Sequence, residues 1–219
     1  MRFLRSVCLA LALLLVFGAS PAEAQLSPKV YLHAGGVIPQ GGEQFSDFYR
    51  FGPHVGGGVG LALPGNVEII LAGRYYNFPA DEDGIFQFLQ SEQPPLNRSD
   101  FTVNASGASM LAGELNVKFY SALVPGVNFY FAGGVGLYQR DLYDANVFQT
   151  TDPTNNRDFS ADSQADEEIN FGVNFGLGVS TAVTPAISVY LEPHYTLVFS
   201  STEDDVFFFP IQIGTSYSF

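Results

Sequence analysis

Cysteine is nearly missing: the single one, Cys8, sits within the first ten residues. Once the leader described below is removed, no thiol remains, which excludes disulfides, a thiol nucleophile and cysteine-ligated metal. Tryptophan is absent altogether. Charge is scarce, at 14% of residues, where a soluble domain carries about a quarter. Basic residues are scarcest: 9 against 22 acidic, a net charge of −13 over 219 residues. A nucleic-acid binder needs the opposite sign. Disorder is excluded as well, because 47% of the chain is hydrophobic and 15% aromatic. Beyond the first two dozen residues no apolar run approaches 18, so any passage through a membrane is not made by helices.

What is present begins with a leader. Arg2 and Arg5 precede the apolar run Leu9–Phe17, and Ala22-Glu23-Ala24 has the A-x-A form of a cleavage site. Residues 1–24 are therefore expected to be a secretory signal peptide, with 25–219 as one mature domain. That domain carries 7 basic and 21 acidic residues, a net −14.

The mature chain alternates. From Ile169 to Ser180 every odd position is apolar and no even position is, the period of a strand with one apolar face. The same alternation predicts eight strands near 28–39, 52–63, 67–78, 107–120, 127–140, 168–182, 186–199 and 205–219. Three connections are short and rich in turn residues: Pro64-Gly65-Asn66, Ser121–Gly126 and Val183-Thr184-Pro185. The other four, near 40–51, 79–106, 141–167 and 200–204, are polar, and two of them are long. Short turns at one end and long connections at the other predict an all-β fold, an eight-stranded antiparallel up-and-down transmembrane β-barrel.

The direction of the faces follows from the polar positions. Gly56, Gly58, Gly60, Gly134, Gly136, Gly172, Gly176 and Gly178 make a poor solvent face but suit the crowded interior of a small barrel. The few charges in that register then become interior ions in need of partners. Depth counted from the short turns pairs Glu68 with Lys118 and Arg74 with Glu114. His33, His54, Glu192 and His194 fall in the same inward register, as interior polar groups. Tyr31, Tyr130, Tyr138 and Tyr190 join them as filling. Phe119, Phe129, Tyr217 and Phe219 are expected in one aromatic girdle, and Tyr75, Phe78, Phe199, Phe207 and Phe209 in the other.

The last stretch, Phe207 to Phe219, places aromatic and apolar residues at alternate positions and ends in Phe. This resembles the terminal assembly signal of bacterial outer-membrane proteins, and residues 25–219 resemble the eight-stranded outer-membrane barrels of the OmpA/OmpX/OmpW kind. The resemblance implies a bacterial outer-membrane location and a monomer in contact with outer-membrane lipid and lipopolysaccharide. It also implies that the barrel-assembly machinery reads the last strand through Tyr217 and Phe219. The peptidoglycan-binding domain of OmpA-type proteins is not expected, since the sequence ends at Phe219. No cofactor and no nucleic-acid partner are expected.

Three functions compete. A non-catalytic surface barrel would serve the envelope structurally or bind a partner through 79–106 and 141–167. A narrow channel for ions or small hydrophobic solutes is what an OmpW resemblance implies. A lipid A-modifying enzyme is the third, but a deacylase pattern asks for His followed two residues later by Ser, and here His194 is followed by Thr196. The first is favoured, because eight strands leave an interior just wide enough for side chains. The acidic runs Asp81-Glu82-Asp83 and Glu203-Asp204-Asp205 offer oxygen ligands of the kind Ca²⁺ or Mg²⁺ takes, without calcium-loop spacing. Whether any metal binds is left open.

Overall fold

The computed structural model describes residues 27–41, 45–92, 101–105, 107–141, 145–149, 156–159, 169–200 and 205–219. The expected leader, residues 1–24, lies outside them. In chain order the elements are β1 (Ser27–Gly41), α1 (Phe45–Phe48), β2 (Gly52–Leu63), β3 (Val67–Phe78), α2 (Glu82–Glu92), β4 (Phe101–Ala105) and β5 (Ala108–Val124). There follow β6 (Val127–Asp141), β7 (Ala145–Gln149), β8 (Asn156–Phe159), β9 (Ile169–Ala182), β10 (Ile187–Phe199) and β11 (Val206–Ser218). Eight long strands close in the order β1-β11-β10-β9-β6-β5-β3-β2, all antiparallel. Closure leaves no strand edge, and every neighbour pair except β1–β11 joins wall strands that follow one another in the chain, which is the up-and-down topology the sequence predicts.

The tight turns have local causes. Gly65 and Asn66 both take positive φ, 86° and 62°, so the link from β2 to β3 needs the residue types it has. Pro125-Gly126, with Gly126 at φ 81°, sets the turn from β5 to β6. The third turn uses a hydroxyl instead: Thr184 Oγ1 accepts from the Ala186 and Ile187 amides at 3.3 and 3.0 Å.

Alternation decides the faces as expected. Leu32, Leu115, Leu137, Phe175, Leu177 and Ile213 point out of the barrel and are exposed. Their strand neighbours of opposite parity point inward and, apart from half-buried Gly214, are buried. Each residue of the outer face thus exchanges water for an apolar surround, the arrangement of a lipid-facing wall. Phe78 is a correction. It is fully buried in the lumen rather than in the outer girdle, because it shares even parity with Arg74 and Tyr76 on β3.

The long connections differ from plain polar loops. The stretch 79–106 contains α2 and β4, and 141–167 contains β7 and β8, which pair with β4 into a separate three-stranded sheet. α2 starts where Asp81 caps it, its Oδ1 accepting from the Gly84 amide at 3.2 Å. Gly84 is needed there, since a Cβ would fall 2.0 Å from the Asp47 carbonyl of α1.

Candidate functional site

The lumen collects nearly all the chemistry. From the short-turn end outward, it is an open cup, a charged middle and an apolar stopper.

The cup holds about 820 Å³ and is lined by Lys29, Tyr31, Glu68, Tyr120 and Tyr130 among others. Glu68 accepts from Lys29 at 3.1 Å, from Tyr120 at 2.9 Å and from the Tyr31 hydroxyl. It can reach them because the β2 residue in its path is Gly60, where a Cβ would lie 2.7 Å from Glu68 Oε1.

The middle contains two carboxylates, each wrapped in donors. Glu114 receives Tyr138 at 3.0 Å, Tyr76 at 3.3 Å, Asn116 at 3.1 Å, Asn174 at 3.3 Å and the Arg74 guanidinium at 3.3 Å. Glu192 is bound by the Lys118 ammonium, by a ring nitrogen of His194 and by Gln212 at 2.7 Å. A charge removed from water needs this kind of enclosure. The Lys118 ammonium also lies 4.4, 4.7 and 5.4 Å from the ring centres of Tyr130, Tyr190 and Tyr31, a cation held by aromatic faces. His33 and His54 lean together with ring centres 6.1 Å apart. The Tyr190 hydroxyl meets His33 Nδ1 at 3.3 Å. His33 Nε2 and both nitrogens of His54 have no protein partner among the described residues. A small cavity between His33, Arg74, Lys118 and Glu192 holds about 10 Å³, the threshold for one water.

The stopper is a cluster of Tyr76, Phe78, Met110, Tyr138 and Phe208 with Phe45 of α1 packed on it. Phe78 and Phe208 meet edge-on at 5.6 Å, and Phe45 meets Phe78 at 4.9 Å.

The structure thus brings together Arg74 and Glu114 as the sequence expects, although Arg74 stands opposite Ala112 and reaches Glu114 on the diagonal. The Glu68–Lys118 ion pair is a correction. The two residues are direct partners across β3 and β5, yet Lys118 crosses the lumen to Glu192 on β10 and Glu68 turns to Lys29 on β1. Long side chains in a closed barrel meet across the axis, an option that counting along neighbouring strands does not contain. Lys29, Tyr76, Tyr120, Gln212 and Phe208 are partners the sequence reading missed; their inward parity was the available signal. His33, His54, Glu192 and His194 are all buried inside.

Part of each acidic run has a structural role at its element's end. Asp81 caps α2, and Glu82 and Asp83 stand in its first turn, where negative charge complements the helix dipole. Asp205 Oδ1 accepts from the Ser200 amide at 3.2 Å; Glu203 and Asp204 lie outside the described residues. Among the described residues no three His, Asp or Glu converge as metal ligands. Tyr217 and Phe219 point outward at the short-turn end, their rings 5.0 Å apart.

Comparison with known proteins agrees with the geometry. A family model described as outer membrane protein beta-barrel domain matches residues 9–219. Among solved structures, Neisserial surface protein A aligns with a TM-score of 0.57 at 13% identity, covering 88% of this chain and 97% of that one. A major outer membrane protein from Thermus thermophilus aligns with a TM-score of 0.50 at 13% identity, covering 88% and 99%. At such identities the likeness concerns the fold. No curated protein sequence matches the chain.

Proposed function

The chain belongs to the outer membrane protein beta-barrel domain family, and on that premise we propose that it is a closed, non-catalytic barrel that carries its long connections at the bacterial surface. The observation that carries this reading is the blocked lumen. The stopper of Phe78, Phe208 and Phe45 fills the end where the long connections emerge. Beneath it the buried Arg74, Glu114, Lys118 and Glu192 side chains meet across the lumen in ion pairs. Export by a signal peptide over residues 1–24, a monomeric state and contact with lipopolysaccharide belong to the same proposal, as does assembly through Tyr217 and Phe219. An enzymatic role is not proposed: Glu192, the nearest acid to His194, is committed to Lys118 and Gln212.

The test is electrical. The refolded chain in a planar lipid bilayer is expected to be silent while remaining a heat-resistant folded band on electrophoresis. Phe208→Ala together with Phe78→Ala is expected to stay silent as well, because the ion-paired layer beneath still closes the lumen. Steady openings of the parent, altered by Arg74→Ala, would instead establish a narrow channel.

A further inference from the structure

Two adjacent wall strands carry the same short motif, His33-Ala34-Gly35 on β1 and His54-Val55-Gly56 on β2. Antiparallel register sets each histidine opposite the other strand's glycine, His33 against Gly56 and His54 against Gly35. Each ring uses the space its facing glycine leaves. A Cβ on Gly56 would fall 2.3 Å from His33 Nε2, and one on Gly35 would fall 2.9 Å from His54 Cε1. Both rings are buried, with centres 6.1 Å apart. We propose that this reciprocal pair is an acid-sensitive latch: it holds β1 to β2 while both imidazoles are uncharged and loosens that seam when they are protonated.

The surroundings are balanced for neutral rings. From β3 come Arg74, committed to Glu114, and Tyr76, whose ring centre lies 5.5 Å from that of His54. From β5 come Glu114, which already holds five donors, and Lys118, which is paired with Glu192. From β10 come Tyr190, whose hydroxyl meets His33 Nδ1 at 3.3 Å, and Glu192 and His194, which are bound to each other. From β11 come Gln212 and Gly214, which carry no charge. Two cations thus face two carboxylates, and the layer is neutral only while the histidines are. A protonated imidazole has two N–H groups to satisfy. Neither nitrogen of His54 has an acceptor among the described residues, and His33 has only the Tyr190 hydroxyl. The cavity beside His33, of about 10 Å³, has room for one water and is not walled by His54. Protonation of the pair would set two further positive charges beside Arg74 with no counter-charge to meet them. The unfolded chain takes up the same protons freely near pH 6.5, so stability is lost as the pH falls below that value.

The experiment measures the urea midpoint of the refolded chain in zwitterionic lipid vesicles at pH 7.5 and at pH 5.5, which is above the range where exposed carboxylates titrate, about 4. The midpoint is expected to fall with acid. His33→Gln together with His54→Gln, which puts uncharged amides in both seats, is expected to lose at least half of that fall. Amide exchange in the parent, corrected for its intrinsic pH dependence, needs no variant and decides the matter should the double variant not refold. Acid is expected to speed exchange in β1 and β2 more than in β6 and β9, which contain no histidine. A midpoint equal at the two pH values, an equal fall in the double variant, or exchange that quickens alike in all four strands would each overturn the proposal. Neither readout is electrical, so its failure leaves the closed barrel standing, and a conducting parent would leave the latch to be judged by these measurements alone.

Discussion

Lys118 shows what one residue contributes to this lumen. Its ammonium is buried, bound to Glu192 and surrounded by three tyrosine rings. Removing one partner of such a pair leaves the other charge without compensation, which costs about 3–5 kcal/mol. A double-mutant cycle separates the pairs. Lys118→Met with Glu192→Gln is expected to show a coupling of about 1–3 kcal/mol in urea unfolding from lipid vesicles, whereas Lys118→Met with Glu68→Gln, neighbours across the strands that share Tyr31 but no ion pair, should show a clearly smaller one. Equal couplings would return Lys118 to the strand-neighbour partner that the sequence suggests. That these residues face inward was legible from parity alone. Arg74 and Glu114 were legible as a pair, but the partner of Lys118 was not, because that choice depends on distances across the axis and on the gap left by Gly60.

A strand of this barrel works by giving its two faces opposite tasks. Along β9, Phe171, Phe175 and Leu177 are exposed outward while Asn170, Asn174 and the intervening glycines face the lumen. The inward glycines are seats for rings from the next strands. The Tyr130 ring lies where a Cβ of Gly178 would be, 2.2 Å away, and Tyr190 lies likewise 2.4 Å from a Cβ on Gly214. Gly178→Ala is therefore expected to lose about 1–3 kcal/mol through forced displacement of Tyr130. Gly113, exposed on β5 with nothing within 4 Å of a Cβ, is expected to accept Ala with no loss or a gain of up to about 1 kcal/mol. Unfolding midpoints of the two variants compared with the parent decide this; similar losses at both would mean that glycine acts through the backbone and not as a seat. The helix α2 was invisible to the strand-length reading. Its signals are a capping Asp81 and acids in the first turn, which in a chain of strands pass equally for a solvated acidic loop.

As a whole, the molecule is a wall of eight strands with separate material at its outer end. The sheet of β4, β7 and β8 shares no ladder with the barrel. Replacing residues 145–159 with a short Gly-Ser turn is therefore expected to leave the heat-resistant barrel band and its unfolding midpoint nearly unchanged. A chain that no longer folds would show that this sheet supports the wall. The number of wall strands, their bounds to within a few residues, the apolar outside and the short-turn end were all set by the sequence, because a period of two and the turn chemistry of Pro, Gly and Asn act between near neighbours in the chain. The stopper, the partner exchange of Lys118 and the open cup were decided only by closure. They join residues such as Phe45 and Phe78, or Lys118 and Glu192, that are distant in the chain and not adjacent on the wall. No local pattern encodes which side chains meet across an axis, since that is fixed by the curvature and stagger of the closed sheet.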